Sequence, residues 1–420
     1  MGVRVLCQSM SSVRSVAVGF WVEAGGIYES DGEEGVAHLL EHLIFKGTRN
    51  RSAREIARAI EGRGGHLGAF TEKEFCCYYA VVLDEHLEIA VDVLSDIILN
   101  HRFTDDQLAR EKAVVLEEFS DLEDSPEELA HELLPAALWP NHPLGTSLLG
   151  TRESVSRMTR ETVRNYWQEL YGPDTITVAA AGNVNPTRLL ELVDRYFRYP
   201  QNGARAREIS DIPDEVSPMK VERRQVGQLH LLIGAKTEGA LAESRFPLLV
   251  LNAALGGGMG SRMFQVIRED GGLAYSVYSH LTQMRTAGYL GLYLATQPAA
   301  AVQATDLLTR ELVDICRNGI TAEELREAKE QIKGALVLSQ ESTSARMTRL
   351  ATQELYYGRF MSLDEALKTV DRVSGNDVIR IARLLFMDQI PSVTLVGPVT
   401  NEPAAIRGRI DSLQSRISEL

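Results

Sequence analysis

The feature that most restricts what this chain can fold into is that its two halves echo each other. Residues 103–117 read FTDDQLAREKAVVLE and residues 320–334 read ITAEELREAKEQIKG, at an offset of 217 residues. In both, an apolar residue and Thr precede acidic residues, a Leu and a run of Arg, Glu and Lys. Thr104 and Thr321 fit helix N-caps, where a hydroxyl and first-turn carboxylates answer unpaired backbone amides. Each half opens on a β-rich run, VRSVAVGFWV (13–22) and GQLHLLIGAK (227–236). Each has a later strand stretch, CCYYAVVL and GYLGLYLAT, and each closes on a buried-strand pattern ending in a turn, DTITVAAAGNV and PSVTLVGPV. Strands and helices mix without strict alternation. That predicts the α+β class: two tandem homologous domains, each a largely antiparallel sheet with helices packed on it. The stretch YPQNGARAREISDIPDEVSP (199–218) has Pro, Gly, Asn and charges without apolar periodicity, so domains are expected at 1–199 and 219–420, joined by a linker over 200–218.

A chain of 420 residues has room for at least two full cores, and 44% hydrophobic with 24% charged residues describes an ordinary globular protein. The net charge of −14 argues against general nucleic-acid binding, which needs basic patches. No signal-peptide order of basic, apolar and small residues opens the sequence, and no apolar run has the length of a membrane span, so a cytoplasmic, membrane-free protein is expected. Cys7, Cys76, Cys77 and Cys316 are too few and too irregular for a disulfide framework and contain no C-x-x-C pair.

The chemistry concentrates in GVAHLLEHLIFKGT, residues 35–48. On a helix, His38, Glu41 and His42 fall within an arc of about 100°, so two imidazoles one turn apart can share one zinc while the glutamate holds and deprotonates a water. A third protein ligand is then required. In REKAVVLEEF (110–119), Glu111 and Glu118 share a helical face two turns apart, and Glu117 points about 100° away. One of the pair could ligate the metal and the other support a histidine; equally, all three suit a solvated acidic face.

H-x-x-E-H is the inverted zincin motif, and the chain resembles the pitrilysin/insulinase family of zinc peptidases, most closely its single-chain bacterial members related to mitochondrial processing peptidase. In that family the third ligand is a glutamate about 75 residues beyond the second histidine, with a supporting glutamate seven before it. Those positions are Glu118 and Glu111 here. HPLGTSLLG (142–150) and YGPDTITVAAAGNV (171–184) are similar to family landmarks, and LGGGMGSRMFQVIREDGGLAYSV (255–277) resembles the family's Gly-rich loop with its Arg…Tyr pair, here Arg268 and Tyr275. The resemblance implies one Zn2+ per chain held by His38, His42 and Glu118, with Glu41 as general base, Glu111 in support, and Arg268 and Tyr275 as donors to the tetrahedral intermediate.

At the offset of 217, Glu111 and Glu118 fall on Ala328 and Ala335, so only the first half is expected to bind metal. GGHLGAFTEKE (64–74) resembles the family's active-site edge strand, which pairs with an extended peptide, and Gly68 stands where relatives often carry Asn. With Ala69 it is expected to contact substrate backbone, while Phe45 and Phe70 match a hydrophobic pocket in relatives and suit core packing equally well. The glycines of GGGMG (256–260) lack the G-K-[ST] of a phosphate loop. Ile406, Ile410, Leu413, Ile417 and Leu420 form an apolar helix stripe that suits packing on the chain's own sheet better than a dimer seam. The expectation is a metalloendopeptidase acting on peptides in a closed chamber, as a homodimer or a heterodimer with a sister chain. The alternatives are a family member that serves as a substrate-binding or structural subunit, and a zinc hydrolase of another small amide.

Overall fold

The computed structural model describes residues 2–199 and 207–418, so part of the expected linker (200–206) and Leu420 of the apolar stripe lie outside the described residues. The chain forms two compact units. Neither is a continuous half of the sequence. The first comprises Met1–Asp121, Thr146–Asp211 and Leu338–Phe360; the second comprises Leu122–Gly145, Ile212–Val337 and Met361–Leu420. Each unit therefore recruits a helix from the other half, which differs from a simple cut between residues 199 and 219.

In the first unit, β1 (Arg4–Ser9), β2 (Ser15–Val22), β3 (His66–Thr71), β4 (Cys76–Leu83) and β5 (Ile176–Gly182) form one sheet in the order β1-β5-β2-β4-β3. Only the β1–β5 pair is parallel. Alternation sends Trp21, Cys77 and Ala179 to one face, against Met347 and Ala351 of the recruited helix Thr343–Tyr357. The opposite face carries Phe20, Tyr78 and Val178, all fully buried. Covered on both sides, β2 reads as a continuous apolar run.

The second unit repeats this plan. Strands β6 (Met219–Arg223), β7 (Leu229–Glu238), β8 (Ala274–Gln283), β9 (Ala287–Thr296) and β10 (Ser392–Gly397) follow the order β6-β10-β7-β9-β8, again with one parallel pair, β6–β10. The helix Pro126–Leu138, encoded in the first half, lies on this sheet. A Cβ at Gly234 would stand 2.5 Å from Leu134 Cδ1, so glycine permits that approach. Ile406, Ile410, Leu413 and Ile417 are buried in this unit's core as part of the helix Glu402–Ser418. Both halves are thus α+β, each a five-stranded mixed sheet with helices.

Candidate metal centre

Helix α1 (Val36–Ile44) carries the H-x-x-E-H residues. Val36, Leu39, Leu40, Leu43 and Ile44 are buried, which fixes the helix's rotation and leaves His38, Glu41 and His42 on its half-buried side. Its N-cap residue is Gly35, which has no side chain to cap the helix and takes the left-handed conformation at φ +89°. A Cβ there would meet Leu149 O at 2.4 Å, so the position is confined to glycine. The first amides are answered from six residues upstream: Gly35 N and Ala37 N each donate at 2.9 Å to the two oxygens of Glu29. Burial outweighs these bonds and holds the Glu29 carboxyl up at about 8. No sequence pattern exposed this residue, since ordinary capping boxes lie within three positions of the helix.

Glu111 and Glu118 lie on α2 (Asp105–Asp124), together with Glu117, which is exposed. Glu118 faces both histidines. Its Oε2 is 3.8 Å from His38 Nε2 and its Oε1 is 3.5 Å from His42 Nε2. Buried Glu111 places Oε2 3.5 Å from His42 Nδ1, and Lys46 Nζ approaches the same oxygen at 2.9 Å. On the other side, Thr71 Oγ1 of β3 donates a 2.6 Å hydrogen bond to Glu41 Oε2. Burial raises the Glu41 carboxyl, against the lowering effect of that bond, and burial pushes the His38 imidazole down to about 4, keeping it neutral.

The donor set fits a zinc ion. Ligand atoms about 2.0–2.1 Å from a tetrahedral ion lie about 3.3 Å apart, which the 3.5 and 3.8 Å separations approach without forming aligned hydrogen bonds. Glu118 Oε2 and His38 Nδ1 are buried with no hydrogen-bond partner among the described residues. One ligand atom each from His38, His42 and Glu118 lie within 4.8 Å of one another, the one such group of three or more among the described residues.

The other residues singled out from the sequence fall in two places. Phe45 packs tilted on Tyr78, with centroids 6.2 Å apart. Gly68, Ala69 and Phe70 lie on β3, the end strand of its sheet, and Phe70 is half-buried against Trp21, Phe75 and Tyr79. His66 is exposed at the start of the same strand. In the second unit, Arg268 sits in a π-helical turn, Phe264–Asp270, with its guanidinium 5.6 Å from the ring centroid of the exposed Tyr275. Buried Ala328 stands at the repeat position of Glu111, and the four cysteines are free thiols. No helix among the described residues is long and apolar enough to cross a membrane.

Comparison with known proteins follows the same lines. The family model described as insulinase (peptidase family M16) matches residues 4–152, and that of the peptidase M16 inactive domain matches 157–332. The chain is 38% identical to the uncharacterized zinc protease YmxG of Bacillus subtilis, over 96% of this chain and 98% of that protein. It is also 38% identical to an uncharacterized zinc protease of Mycobacterium leprae, over 96% of this chain and 91% of that protein. A crystal structure of a protease from Helicobacter pylori superposes with a TM-score of 0.86 at 20% identity, covering 94% of this chain and 97% of the other. A Pseudomonas fluorescens structure, a peptidase M16 inactive domain, gives 0.87 at 21% identity, covering 95% and 97%. By its sequence relatives and the family models that span it, the chain belongs to the insulinase family, peptidase family M16.

Proposed function

We propose that this protein is a zinc-dependent endopeptidase that hydrolyses oligopeptides or extended segments of unfolded chains. The observation that carries the reading is the convergence of His38, His42 and Glu118 within 4.8 Å, beside a glutamate held by an edge strand. His38, His42 and Glu118 would hold the ion. Bound zinc supplies Lewis acidity, lowering the pKa of a water towards about 7 and polarising a carbonyl. Glu41 takes a proton from the attacking water and delivers it to the leaving amine; its raised pKa suits both steps. Glu111 and Lys46 orient His42 through its Nδ1 side. The outer edge of β3 pairs with the backbone of an extended peptide. Arg268 and Tyr275 are assigned as donors to the developing oxyanion. The names of the curated relatives, zinc proteases, support the reading.

The test joins metal content to turnover. Bound zinc is measured in the wild-type chain and in Glu41→Gln, and both are given a quenched mixed-peptide library with and without a chelator. The reading expects about one zinc in each and chelator-sensitive cleavage by the wild type only, with a loss of at least about a hundredfold in the variant. Zinc without cleavage in either protein would instead favour a substrate-binding subunit, and absence of zinc would remove the metal site.

A further inference from the structure

Strand β3 ends its sheet: one side of its backbone pairs with β4, and the other has no paired strand among the described residues. Thr71 at its C-terminal end holds Glu41, so an extended peptide laid along the outer side runs past the proposed base. Residues alternate across the strand, and on the face opposite Thr71 stand His66, Gly68 and Phe70. Gly68 is paired across the sheet with Tyr79. A Cβ on Gly68 would lie 2.9 Å from both Cζ and Oη of Tyr79, so the end of the phenol occupies the room a side chain at position 68 would take. The ring centroid of Tyr79 is 5.8 Å from that of His66 and 6.2 Å from that of Phe70, and its Oη is 3.4 Å from His66 Nε2. His66 and Phe70 of the edge strand therefore flank the ring of Tyr79, which stands on β4 behind it. Gly68, the residue between Tyr79 and the edge, has no side chain.

We propose that Tyr79, seated over Gly68 between His66 and Phe70, is a specificity-determining residue: an aromatic shelf that receives a large apolar or aromatic side chain from the residue of a bound peptide lying beside Gly68. The inference rests on the peptidase reading and names part of its substrate class. Side chains of a paired strand alternate between faces, so every second residue of the peptide meets the shelf and its neighbours point towards the Glu41 side. Neighbouring strands favour aromatic and aliphatic partners on a shared face, and ring pairs prefer the offset or edge contacts that these rings offer. A side chain at 68 would push the phenol away, replacing a flat apolar surface with a polar one where the side chain is Asn.

The experiment uses peptide pairs differing only in Phe or Ser at the residue that pairs beside Gly68, with wild type, Tyr79→Phe, Tyr79→Ala and Gly68→Asn. KM and kcat are measured in the active chain, and binding by fluorescence anisotropy in the same four backgrounds carrying Glu41→Gln. Tyr79→Ala is expected to weaken binding of the Phe peptide about tenfold, with kcat within about twofold and the Ser peptide unaffected. Tyr79→Phe keeps the ring and should keep the preference, which guards against a folding defect in the alanine variant. Gly68→Asn should reduce the preference by displacing the phenol. An equal change for both peptides, or an unchanged preference in Tyr79→Ala, would overturn the shelf. If nothing is cleaved by the wild type, the peptidase reading falls, and the anisotropy titrations still judge the shelf: preference lost with Tyr79 supports it, equal binding of both peptides refutes it.

Discussion

Thr71 Oγ1 donates a 2.6 Å hydrogen bond to Glu41 Oε2, tying the edge strand to the carboxylate proposed as the base. The same hydroxyl lies 3.4 Å from Cys76 Sγ, so its position is set from the sheet side as well. Thr71→Val keeps the shape and removes the bond. Loss of an orienting partner of this kind costs about 10–100-fold in activity. The expected result is a fall of that size in kcat with zinc content unchanged. A variant that loses zinc instead would show that Thr71 holds the helix rather than the base.

Glu29 is the second anchor of helix α1. Its two oxygens accept from Gly35 N and Ala37 N, which have no other cap. Glu29→Ala leaves both amides buried without acceptors and is expected to cost about 1–3 kcal/mol of stability. Glu29→Gln keeps one acceptor and should cost less. Hydrogen exchange at Gly35 and Ala37 locates the effect: faster exchange at those two amides is expected, alongside weaker zinc binding. Unchanged protection there would disprove the capping role.

His280 in the second unit is half-buried, with both ring nitrogens shielded from solvent and without a hydrogen-bond partner among the described residues. Its ring faces His131, Tyr278 and Tyr289, and a Cβ at Gly291 would stand 2.2 Å from its Cε1. Nearby, His131 Nε2 and Glu127 Oε1 both contact Tyr278 Oη, and His230 Nδ1 contacts Tyr293 Oη. Burial first, then His131, pushes the His280 imidazole down to about 4. The folded pKa is below the unfolded value of about 6.5, so this stability is fully present above that pH and drains away as pH falls towards 4. Half-buried His101, also held at about 4 by desolvation, adds in the same direction. Urea midpoints taken with a chelator present should therefore decline from pH 6.5 downward. His280→Leu should match or exceed wild-type stability at pH 7 and show a shallower acid decline, because unsatisfied nitrogens are removed. An unchanged slope would place the acid sensitivity elsewhere.

Legibility in the sequence tracked how local each determinant is. The run CCYYAVVL coincides with β4, and SVAVGFWV with β2, because buried strands write their period directly. The spacing of His38, Glu41 and His42 needs only helical geometry. Glu111 and Glu118 were legible as one face of a helix, but their approach to the histidines is a tertiary fact. Lys46 on Glu111 and Tyr79 over Gly68 left no periodic trace, since each depends on which strand or helix lies alongside. Strand β1 was missed because RVLCQS alternates weakly and is completed by parallel pairing with β5, distant in sequence. Amphipathic helices announce that one face is buried without naming the sheet that buries it, which is why the helices exchanged between the two halves were invisible.

That exchange makes a prediction about fragments. The face of the first sheet carrying Ala17, Trp21, Cys77, Ala179 and Ala181 is covered by Met347, Ala351 and Leu355, all from the helix Thr343–Tyr357. Residues 1–211 alone would bare that face, and would carry the helix Pro126–Leu138 with buried Leu129, Ala130 and Leu134 deprived of their own sheet. Exposed apolar patches beyond about 300–600 Å² are unusual on soluble monomers and invite association. The 1–211 fragment is therefore expected to aggregate or to bind a hydrophobic dye and melt without a cooperative transition. Co-expression with 212–420, which supplies Thr343–Tyr357 and receives Pro126–Leu138, should restore a single sharp melt and abolish dye binding. A control chain of 1–211 in which Trp21 and Ala179 are replaced by polar residues separates baring of this face from a general loss of stability: reduced dye binding in it is expected. A cooperative, dye-free melt of unmodified 1–211 would show that the first sheet stands without the helix it takes from the second half.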